Sequence, residues 1–545
     1  MRPKIVVVTG RGGTGGELVR CTRAVDLMLA RCSSAALRGL EAAEVNVEVD
    51  IAPGLPGLQI VGLADAPGRE SRERVRAALR NSGFRVPLTR VIISLAPADL
   101  RKEGPAFDLP IALGLLLASG QLAPERLEGV WSAGELGLDG SLRPVRGVLA
   151  LALAARRGGA RALVVPAANG PEAMLVEGLV VWPAEGLSQV GALLDDPVRA
   201  SPCRPAAALA AAPPPLELAE VRGQAHGRRA LEIAAAGNHH LLLVGPPGSG
   251  KTMLARRLAG LLPPLPHGEA LETTQVHSVA GLLRPNTALL QQRPFRAPHH
   301  SCTGSALIGG GAIPRPGELS LAHNGVLFLD ELTEFRREVL DQLRQPLEEG
   351  EVWISRSRER SRFPCRVTLV AATNPCPCGW FGDPQRACRC GEAQRQRYWS
   401  RLSGPLLDRI DLQVVMRRLE ADDLVQPYAV GRADGVERRS TQAVGQRVAA
   451  ARQRMVSRNP GGCPNAGLVR ADLQRHCRLS LEGLDLWRQA IQGRRLSARS
   501  AERLLRVARS LADLEDRERV EPAHLAEALT YRSFDQLQTT EPGGN

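Results

Sequence analysis

Apolar and polar positions divide residues 28–195 into alternating strands and helices. Short apolar runs such as residues 45–49 and 91–95 are typical of β-strands, and helical spacing follows between such runs. Strands that alternate with helices are typical of an α/β domain. We therefore expect the N-terminal part of the chain to form an α/β domain.

A second pattern of strands and helices covers residues 217–415, and a helical pattern follows it. The apolar residues 241–244 predict a buried strand. Residues 465–532 have helical spacing interrupted by Gly493 and Pro522, which are typical of helix ends. The chain is thus predicted to be an α/β multidomain protein that ends in a helical domain.

The remaining segments have the character of linkers or chain ends. Residues 202–215 are rich in proline and alanine, as interdomain linkers are. The glycine cluster at residues 10–16 resembles a dinucleotide loop, but no βαβ unit follows it, so we interpret it as an extension upstream of a start at Met28. The predicted segments are an extension over residues 1–27, a linker over 196–216, a connector over 416–464 and a tail over 533–545.

Length and composition limit the possible architectures. Single hydrophobic cores stop growing near about 250–300 residues, so a chain of 545 residues needs several domains. A hydrophobic fraction of 44% with 23% charged residues is ordinary for a globular protein. The net charge of +13 favours a polyanionic partner such as nucleic acid, although an arginine-rich proteome explains it equally well. Charge alone therefore does not identify the partner.

Cysteine usage and hydropathy indicate a cytoplasmic protein. The chain has 11 cysteines, too few for a disulfide scaffold at this length, and several of them crowd into residues 376–390. No apolar run approaches about 18 residues, and the N-terminus lacks a secretory pattern. We expect no membrane association.

The predicted strand at residues 241–244 leads into a glycine-rich loop and then into a helix, which is the context of a phosphate loop. Lys251 stands in this loop although arginine is the usual cation of the chain. Its ammonium neutralises phosphate oxygens, the Thr252 hydroxyl ligates Mg²⁺, and loop N–H groups bind the phosphates. The predicted ATP-binding residues are Gly245, Pro246, Pro247, Gly248, Ser249, Gly250, Lys251 and Thr252.

Polar residues end two later apolar strands. Asp330 and Glu331 follow residues 326–329, and Asn374 follows residues 367–373. We expect Asp330 to hold the Mg²⁺ and Glu331 to polarise the attacking water. Asn374 is expected to orient that water. ATP and Mg²⁺ are therefore the predicted cofactors of a hydrolytic site.

These motifs resemble the magnesium chelatase-like AAA+ ATPases, and within them the ComM/YifB family of bacterial DNA branch-migration motors. The resemblance covers about residues 28–532. It implies an AAA+ P-loop core over residues 217–415, an α-helical lid over residues 465–532, and assembly as a homohexamer. The segments that carry it are residues 222–224, 295–300, 313–318 and 374–379.

The resemblance also implies roles for arginines outside the phosphate loop. Arg409 is expected to be an arginine finger that enters the neighbouring subunit's site, and Arg401 is its nearest rival. Arg499 is expected to contact the γ-phosphate and report hydrolysis to the lid. The catalytic residues implied are Lys251, Glu331, Asn374, Arg409 and Arg499.

Residues 351–367 predict a β-hairpin with a basic tip. In related ring motors, a hairpin at this point of the chain projects into the pore. A motor that does not read sequence needs contacts to the DNA backbone, and an ordinary exposed charged turn is the alternative interpretation. The arginines expected to contact DNA are Arg356, Arg358, Arg360 and Arg362.

Two Cys-x-Cys pairs occupy residues 376–390, which we call the cysteine loop. Four thiolates in one short loop can enclose a tetrahedral Zn²⁺. The spacing is tighter than in the usual Cys-x-x-Cys knuckle, so redox-silent structural thiols are the alternative. The candidate zinc ligands are Cys376, Cys378, Cys388 and Cys390.

Residues 28–195 resemble a Lon-protease-like (S5-type) domain whose reactive groups are missing. Ala106 occupies the position of the nucleophilic serine, and Leu149 occupies the position of the general-base lysine. Without a hydroxyl or an amine, acyl-enzyme chemistry has neither nucleophile nor base. We expect this domain to serve in assembly or in substrate engagement.

Three functional hypotheses follow. The first, implied by the resemblance, is an ATP-driven hexameric motor that migrates branched DNA when incoming strands recombine during natural transformation. The second is a chelatase-like motor that remodels a protein partner for metal insertion. The third is an ATP-dependent protease, which Ala106 and Leu149 disfavour. His299 and His300 have no assigned role.

Overall fold

The computed structural model describes residues 29–102, 104–195, 216–311, 313–356, 359–419 and 440–532. The predicted extension with its start at Met28, the tail, Arg358 and nearly all of the 196–216 linker lie outside the described residues. The chain divides into two compact units. The first unit combines Met1–Leu209 with Gly281–Ala288, and the second combines Ala210–Ala280 with Leu289–Asn545.

The first unit contains nine strands and six helices in its described part. The strands are β1 Ala30–Arg38, β2 Glu41–Ala52, β3 Gly57–Val61, β4 Arg90–Ala96, β5 Val130–Ser132, β6 Glu135–Leu136, β7 Leu142–Arg143, β8 Ala162–Pro166 and β9 Val180–Ala184. The helices are α1 Asp65–Asn81, α2 Asp108–Ala118, α3 Pro124–Leu127, α4 Val148–Arg157, α5 Gly170–Ala173 and α6 Leu187–Asp195.

A mixed sheet of seven strands organises this unit, in the order β3-β4-β2-β1-β5-β8-β9. β1 and β2 form an antiparallel hairpin, whereas β5, β8 and β9 run parallel. In β2, Val45, Val47 and Val49 are fully buried and alternate with half-buried polar residues. This alternation is the pattern that predicted the strand, and the unit is α/β as expected.

The second unit contains nine strands and fourteen helices in its described part. The strands are β10 Leu241–Val244, β11 Phe295–Arg296, β12 Gly309–Gly310, β13 Arg315–Pro316, β14 Val326–Leu329, β15 Glu351–Arg356, β16 Glu359–Pro364, β17 Thr368–Thr373 and β18 Leu412–Val415. The helices are α7 Ala225–Gly237, α8 Lys251–Leu261, α9 His267–Ala280, α10 Gly304–Ile308, α11 Glu318–Leu321, α12 Arg337–Asp341, α13 Arg344–Glu349, α14 Glu392–Trp399, α15 Gly404–Leu407, α16 Thr441–Arg458, α17 Arg470–His476, α18 Leu481–Gly493, α19 Ala498–Leu514 and α20 Pro522–Thr530.

The central sheet of this unit has five strands in the order β11-β14-β17-β10-β18, and every neighbouring pair is parallel. All residues of β10, β14 and β17 are buried, which explains their continuous apolar runs. Because these strands are parallel, their carboxyl ends meet at one edge of the sheet. Ligands bind at this edge in open parallel α/β folds.

The helical region shares one hydrophobic core with this sheet. Apolar side chains of α16, α19 and α20 lie in the same buried cluster as those of β10. α16 lies within residues 416–464, for which the sequence pattern predicted a connector. α17 to α20 fall within residues 465–532, where helical spacing predicted helices. Within the described part of the chain, no helix is both long and apolar enough to cross a membrane.

Candidate functional site

The phosphate loop joins β10 to α8, and its glycines suit a sharply turned backbone. Gly248 and Gly250 have φ angles of +79° and +86°, in the left-handed region that favours glycine. A Cβ atom at Gly245 would lie 2.7 Å from the carbonyl oxygen of Met416. Gly250 caps α8, and the first turn of a helix has N–H groups without intrahelical partners. The loop is therefore shaped to receive an anion at a helix N-terminus.

Lys251 is buried at the start of α8. Its Nζ donates to two carbonyl oxygens of the phosphate loop at 2.7 and 2.9 Å, and to Asn374 Oδ1 at 3.2 Å. Burial lowers the pKa of Lys251 to about 8, against the opposing charges of Asp330 and Glu331. The ammonium is thus poorly solvated, and phosphate oxygens are stronger acceptors than the carbonyl oxygens that it now contacts.

Thr252 and Asp330 form an oxygen pair beside the lysine. The Thr252 hydroxyl donates to Asp330 Oδ2 at 2.7 Å, and the other carboxylate oxygen accepts from the Glu331 N–H at 3.0 Å. Hydroxyl and carboxylate oxygens are hard donors, which Mg²⁺ prefers. These two side chains therefore fit a Mg²⁺ that is shared with a nucleotide.

Glu331 directly follows β14 and has an unusual backbone conformation. Its φ of +52° is in the left-handed region, which non-glycine residues rarely adopt. Its carboxylate pairs with His300, whose Nδ1 lies 2.9 Å from Oε2. The His300 ring packs against Phe335 and His299. Sequence reasoning had assigned no role to His300, because nothing local in the sequence connects it with Glu331.

Asn374 completes the group of predicted residues at this edge of the sheet. It follows β17, the strand between β14 and β10, and accepts the hydrogen bond from Lys251. Hydrogen bonds therefore join Lys251 to Asn374 and Thr252 to Asp330, with Glu331 next in the chain. The structure thus brings together a cation, a hydroxyl–carboxylate pair, a second carboxylate and an amide.

The structure places the predicted arginines beside other carboxylates. Arg409 forms an ion pair with Glu348, and its side chain is only 12% exposed. Arg499 is 69% exposed and lies 3.7 Å from the other oxygen of Glu348. Arg401, the rival candidate for the finger, pairs with Glu334 at 3.1 Å. Glu348 therefore links the expected finger to the expected lid arginine within one subunit.

β15 and β16 form the antiparallel hairpin that the sequence predicted. The Arg360 guanidinium lies over the Trp353 ring, 4.1 Å from its centroid, and both residues are exposed. Arg362 pairs with a glutamate of the opposite strand at 2.6 Å. The Arg356 side chain and all of Arg358 lie outside the described residues. Of the four predicted DNA contacts, Arg360 is the one that the structure shows exposed and stacked on an aromatic ring.

The residues at the positions of the missing protease groups, Ala106 and Leu149, lie in a short turn and in a buried helix. Ala106 lies in a short 3-10 turn, Pro105–Phe107, that leads into α2. Leu149 is fully buried in α4, and its N–H donates to Glu172 at 2.8 Å. Neither side chain can act as a nucleophile or as a base.

Three families match successive parts of the chain. Subunit ChlI of Mg-chelatase matches residues 47–169, and Magnesium chelatase, subunit ChlI matches residues 217–424. Magnesium chelatase, subunit ChlI C-terminal matches residues 438–532. Both α/β regions and the helical region are therefore similar to parts of the same kind of subunit.

Relatives of similar length cover almost the whole chain. The chain is 44% identical over 501 residues to the Uncharacterized protein YifB of Escherichia coli (strain K12), covering 92% of this chain and 96% of that protein. It is 42% identical over 515 residues to the Competence protein ComM of Haemophilus influenzae, covering 94% and 99%. Lon protease 2 of Bacillus subtilis is 29% identical over 166 residues, which is 28% of this chain and 29% of that protein. The likeness to Lon is partial, whereas the likeness to YifB and ComM is nearly complete.

Proposed function

Because this chain belongs to the YifB and ComM family of magnesium chelatase-like AAA+ proteins, we propose that it is a Mg²⁺-dependent ATPase that works as a motor on DNA. The observation that carries the ATPase proposal is the meeting of Lys251, Thr252, Asp330 and Asn374 at the carboxyl edge of a parallel sheet. This combination of groups suits the hydrolysis of a nucleoside triphosphate.

Each group has a distinct task in the proposed reaction. Lys251 exchanges its carbonyl contacts for oxygens of the β- and γ-phosphates. Thr252 and Asp330 would hold Mg²⁺, which would supply positive charge to the same phosphates. Glu331 accepts a proton from water as the water oxygen attacks the γ-phosphorus, and Asn374 orients that water. The bond to the β-phosphate oxygen breaks, which leaves ADP and phosphate.

In the proposed homohexamer, Arg409 serves the active site of the neighbouring subunit. Its present partner, Glu348, is exposed and also lies near Arg499. Exchange of Arg409 from Glu348 to a neighbour's γ-phosphate places positive charge where negative charge develops in the transition state. The same exchange frees Glu348 for Arg499, which links hydrolysis to the lid.

DNA is the proposed track of this motor, and branch migration during recombination of incoming DNA in the cytoplasm is its proposed task. One relative is named a competence protein. In this chain, the net charge of +13 and the exposed Arg360 on the β15–β16 hairpin also support a DNA partner. The alternative is a chelatase-like motor that remodels a protein partner, which the family matches also support.

A synthetic four-way junction distinguishes these two functions. We expect the wild-type protein to hydrolyse ATP and to convert the junction into two duplexes only when ATP and Mg²⁺ are present. Glu331→Gln should abolish both activities, because an amide does not accept the proton. Glu338→Gln, a change at an exposed glutamate beyond the site, is the matched control. Rapid ATP hydrolysis with an unmoved junction would favour remodelling of a protein partner.

A further inference from the structure

The four thiols of the cysteine loop lie within bonding reach of one ion. Their sulfur atoms all lie within 4.8 Å of one another, and among the described residues they are the single group of three or more potential metal ligands. Cys376 Sγ lies 3.4 Å from Cys378 Sγ and 3.6 Å from Cys388 Sγ. Zn–S bonds of about 2.3 Å in a tetrahedron separate the sulfurs by about 3.8 Å. The spacing therefore suits a single tetrahedral ion.

Backbone N–H groups of the cysteine loop point at two of its sulfur atoms and stabilise negative charge there. The Cys378 N–H points to Cys390 Sγ, and the Cys390 N–H points to Cys388 Sγ, each at 3.4 Å. Gly379, with a φ of +83°, closes a tight turn after the first Cys-x-Cys pair. N–H groups directed at sulfur stabilise thiolates, which are the form that binds metal. Soft thiolates in a tetrahedral set favour Zn²⁺ over Mg²⁺ or Ca²⁺.

The second half of the cysteine loop buries little surface. Every residue from Phe381 to Cys390 is exposed or half-buried. Arg386 over Trp380 and Arg395 over Phe381 contribute to its order, and a metal cross-link would restrict a segment that buries so little surface much further. Coordination of a metal by four residues supplies that free energy.

The cysteine loop also contacts the nucleotide site at two points. Asn374 lies two residues before the first ligand, Cys376. The backbone of Gly379 lies so close to the phosphate loop that an added Cβ atom would be 2.7 Å from Pro247 Cδ. Trp399 of α14 donates at 3.1 Å to the carbonyl oxygen of Pro375, which lies between Asn374 and Cys376. The order of this loop therefore bears on both the phosphate loop and Asn374.

We propose that the cysteine loop binds one structural Zn²⁺ through its four thiolates, and that this ion fixes Asn374 and the phosphate loop in their working positions. The ion takes no part in chemistry, because all four of its ligands come from protein. The first half of the proposal stands alone, and the second half rests on the proposed ATPase function. The four ligands are Cys376, Cys378, Cys388 and Cys390.

Metal analysis of the full-length protein tests the site itself. Wild-type protein purified without added metal should contain about one zinc per chain by plasma mass spectrometry. Cys390→Ser should lose most of this zinc. Cys463→Ser, which changes a half-buried lone cysteine, should retain it. Wild-type protein with well under one zinc per chain, or with iron in its place, would overturn the proposal.

Two further measurements test the link to the nucleotide site. Cys390→Ser should lower kcat for ATP about tenfold or more, because a displaced Asn374 no longer orients the attacking water, and should also raise KM, because the phosphate loop is less ordered. Amide hydrogen exchange of residues 245–252 should be faster in Cys390→Ser than in Cys463→Ser, which is a readout independent of hydrolysis. Loss of zinc with unchanged exchange and unchanged kcat would contradict the link. If the wild-type protein binds zinc but hydrolyses no ATP, and residues 245–252 still exchange faster in Cys390→Ser than in Cys463→Ser, only the proposed ATPase function is contradicted.

Discussion

Glu331, the proposed base, has a backbone in the left-handed region, and its carboxylate pairs with His300 at 2.9 Å. Both its backbone and its side chain are therefore restrained. The sequence predicted Lys251 from the strand, glycine-rich loop and helix around it, and Asp330 and Asn374 from the polar ends of apolar strands. His300 stands in no such pattern. Its role arises from a long-range contact, which a linear pattern cannot reveal.

We predict that His300→Ala raises the basal rate of ATP hydrolysis several-fold. The imidazole occupies a carboxylate oxygen that must be free to accept a proton from water, so its removal frees the base. Steady-state phosphate release without DNA measures this rate. His299→Ala is the matched control, because His299 bonds Ser301 rather than Glu331. A fall as deep as that of Glu331→Gln would instead make His300 a group that the reaction requires.

The pKa of Lys251, about 8, predicts proton uptake when ATP binds. Above about pH 8 the buried amine is largely neutral, and the charge of bound phosphates raises its pKa, so it binds a proton with the nucleotide. Calorimetry in buffers of different ionisation enthalpy should show clear proton uptake at about pH 8.5 and much less at about pH 6.5. Glu331→Gln removes a negative charge that raises the pKa of Lys251, so its proton uptake at about pH 8.5 should be at least as large. Equal uptake at both pH values would contradict this assignment.

At the scale of elements, a buried polar group joins the parallel sheet to the helical region. Asp411, directly before β18, accepts from His239 at 2.9 Å and from Arg503 of α19 at 3.2 Å. His239 also bonds Ser510 of α19 at 2.8 Å. The sequence pattern predicted the sheet and most of the helices, but the polar residues that join them lie far apart in the chain.

Helix α16, in the segment expected to be a connector, shows a second limit of prediction from the sequence. Val444, Val448, Ala451 and Met455 recur at helical spacing and are buried, so a signal existed. The helix is rich in arginine and glutamine, and its apolar stripe is narrow. Packing against the core, rather than apolar content, stabilises such a helix.

We predict that Asp411→Ala lowers the free energy of unfolding by about 3–5 kcal/mol, because it leaves buried donors without an acceptor. Burial alone raises the pKa of Asp411, but the hydrogen bond from His239 and nearby positive charges lower it to about 2. Its contribution is therefore present above about pH 4 and is lost as the pH falls towards 2. Urea denaturation at neutral pH measures the loss.

The control for this prediction is Asp485→Ala, which removes an exposed ion pair with Arg488. Exposed pairs contribute about 0–1 kcal/mol, so its midpoint should change little. Equal losses in the free energy of unfolding for the two variants would show that the buried polar group around Asp411 stabilises the fold no more than an exposed ion pair does.

At the scale of the whole molecule, the net charge of +13 attracts polyanions without selecting a contact surface. The hairpin β15–β16 offers such a surface, because Arg360 is exposed and stacked on Trp353. The sequence predicted this hairpin because strand, turn and strand are adjacent. It did not predict the stacking, which depends on the cross-strand register.

We predict that the double variant Arg358→Ala with Arg360→Ala weakens DNA binding and flattens its dependence on salt. Each lost phosphate contact should reduce the slope of log K against log salt by about 0.7–0.9, so the pair should reduce it by about 1.4–1.8. Titration of fluorescent DNA at several salt concentrations gives the slope. A double variant at the exposed Arg488 and Arg517 is the control, and equal slopes in both variants would exclude the hairpin tip.

Every role proposed for this protein depends on hydrolysis of ATP at the phosphate loop, and Lys251→Ala tests this hydrolysis most directly. Steady-state phosphate release by the purified full-length protein should fall at least about 100-fold, because alanine removes the buried ammonium that would bind the phosphates. Arg256→Ala, an exposed change on the same helix, should leave the rate unaltered. Release of phosphate by Lys251→Ala at the wild-type rate would contradict the central claim.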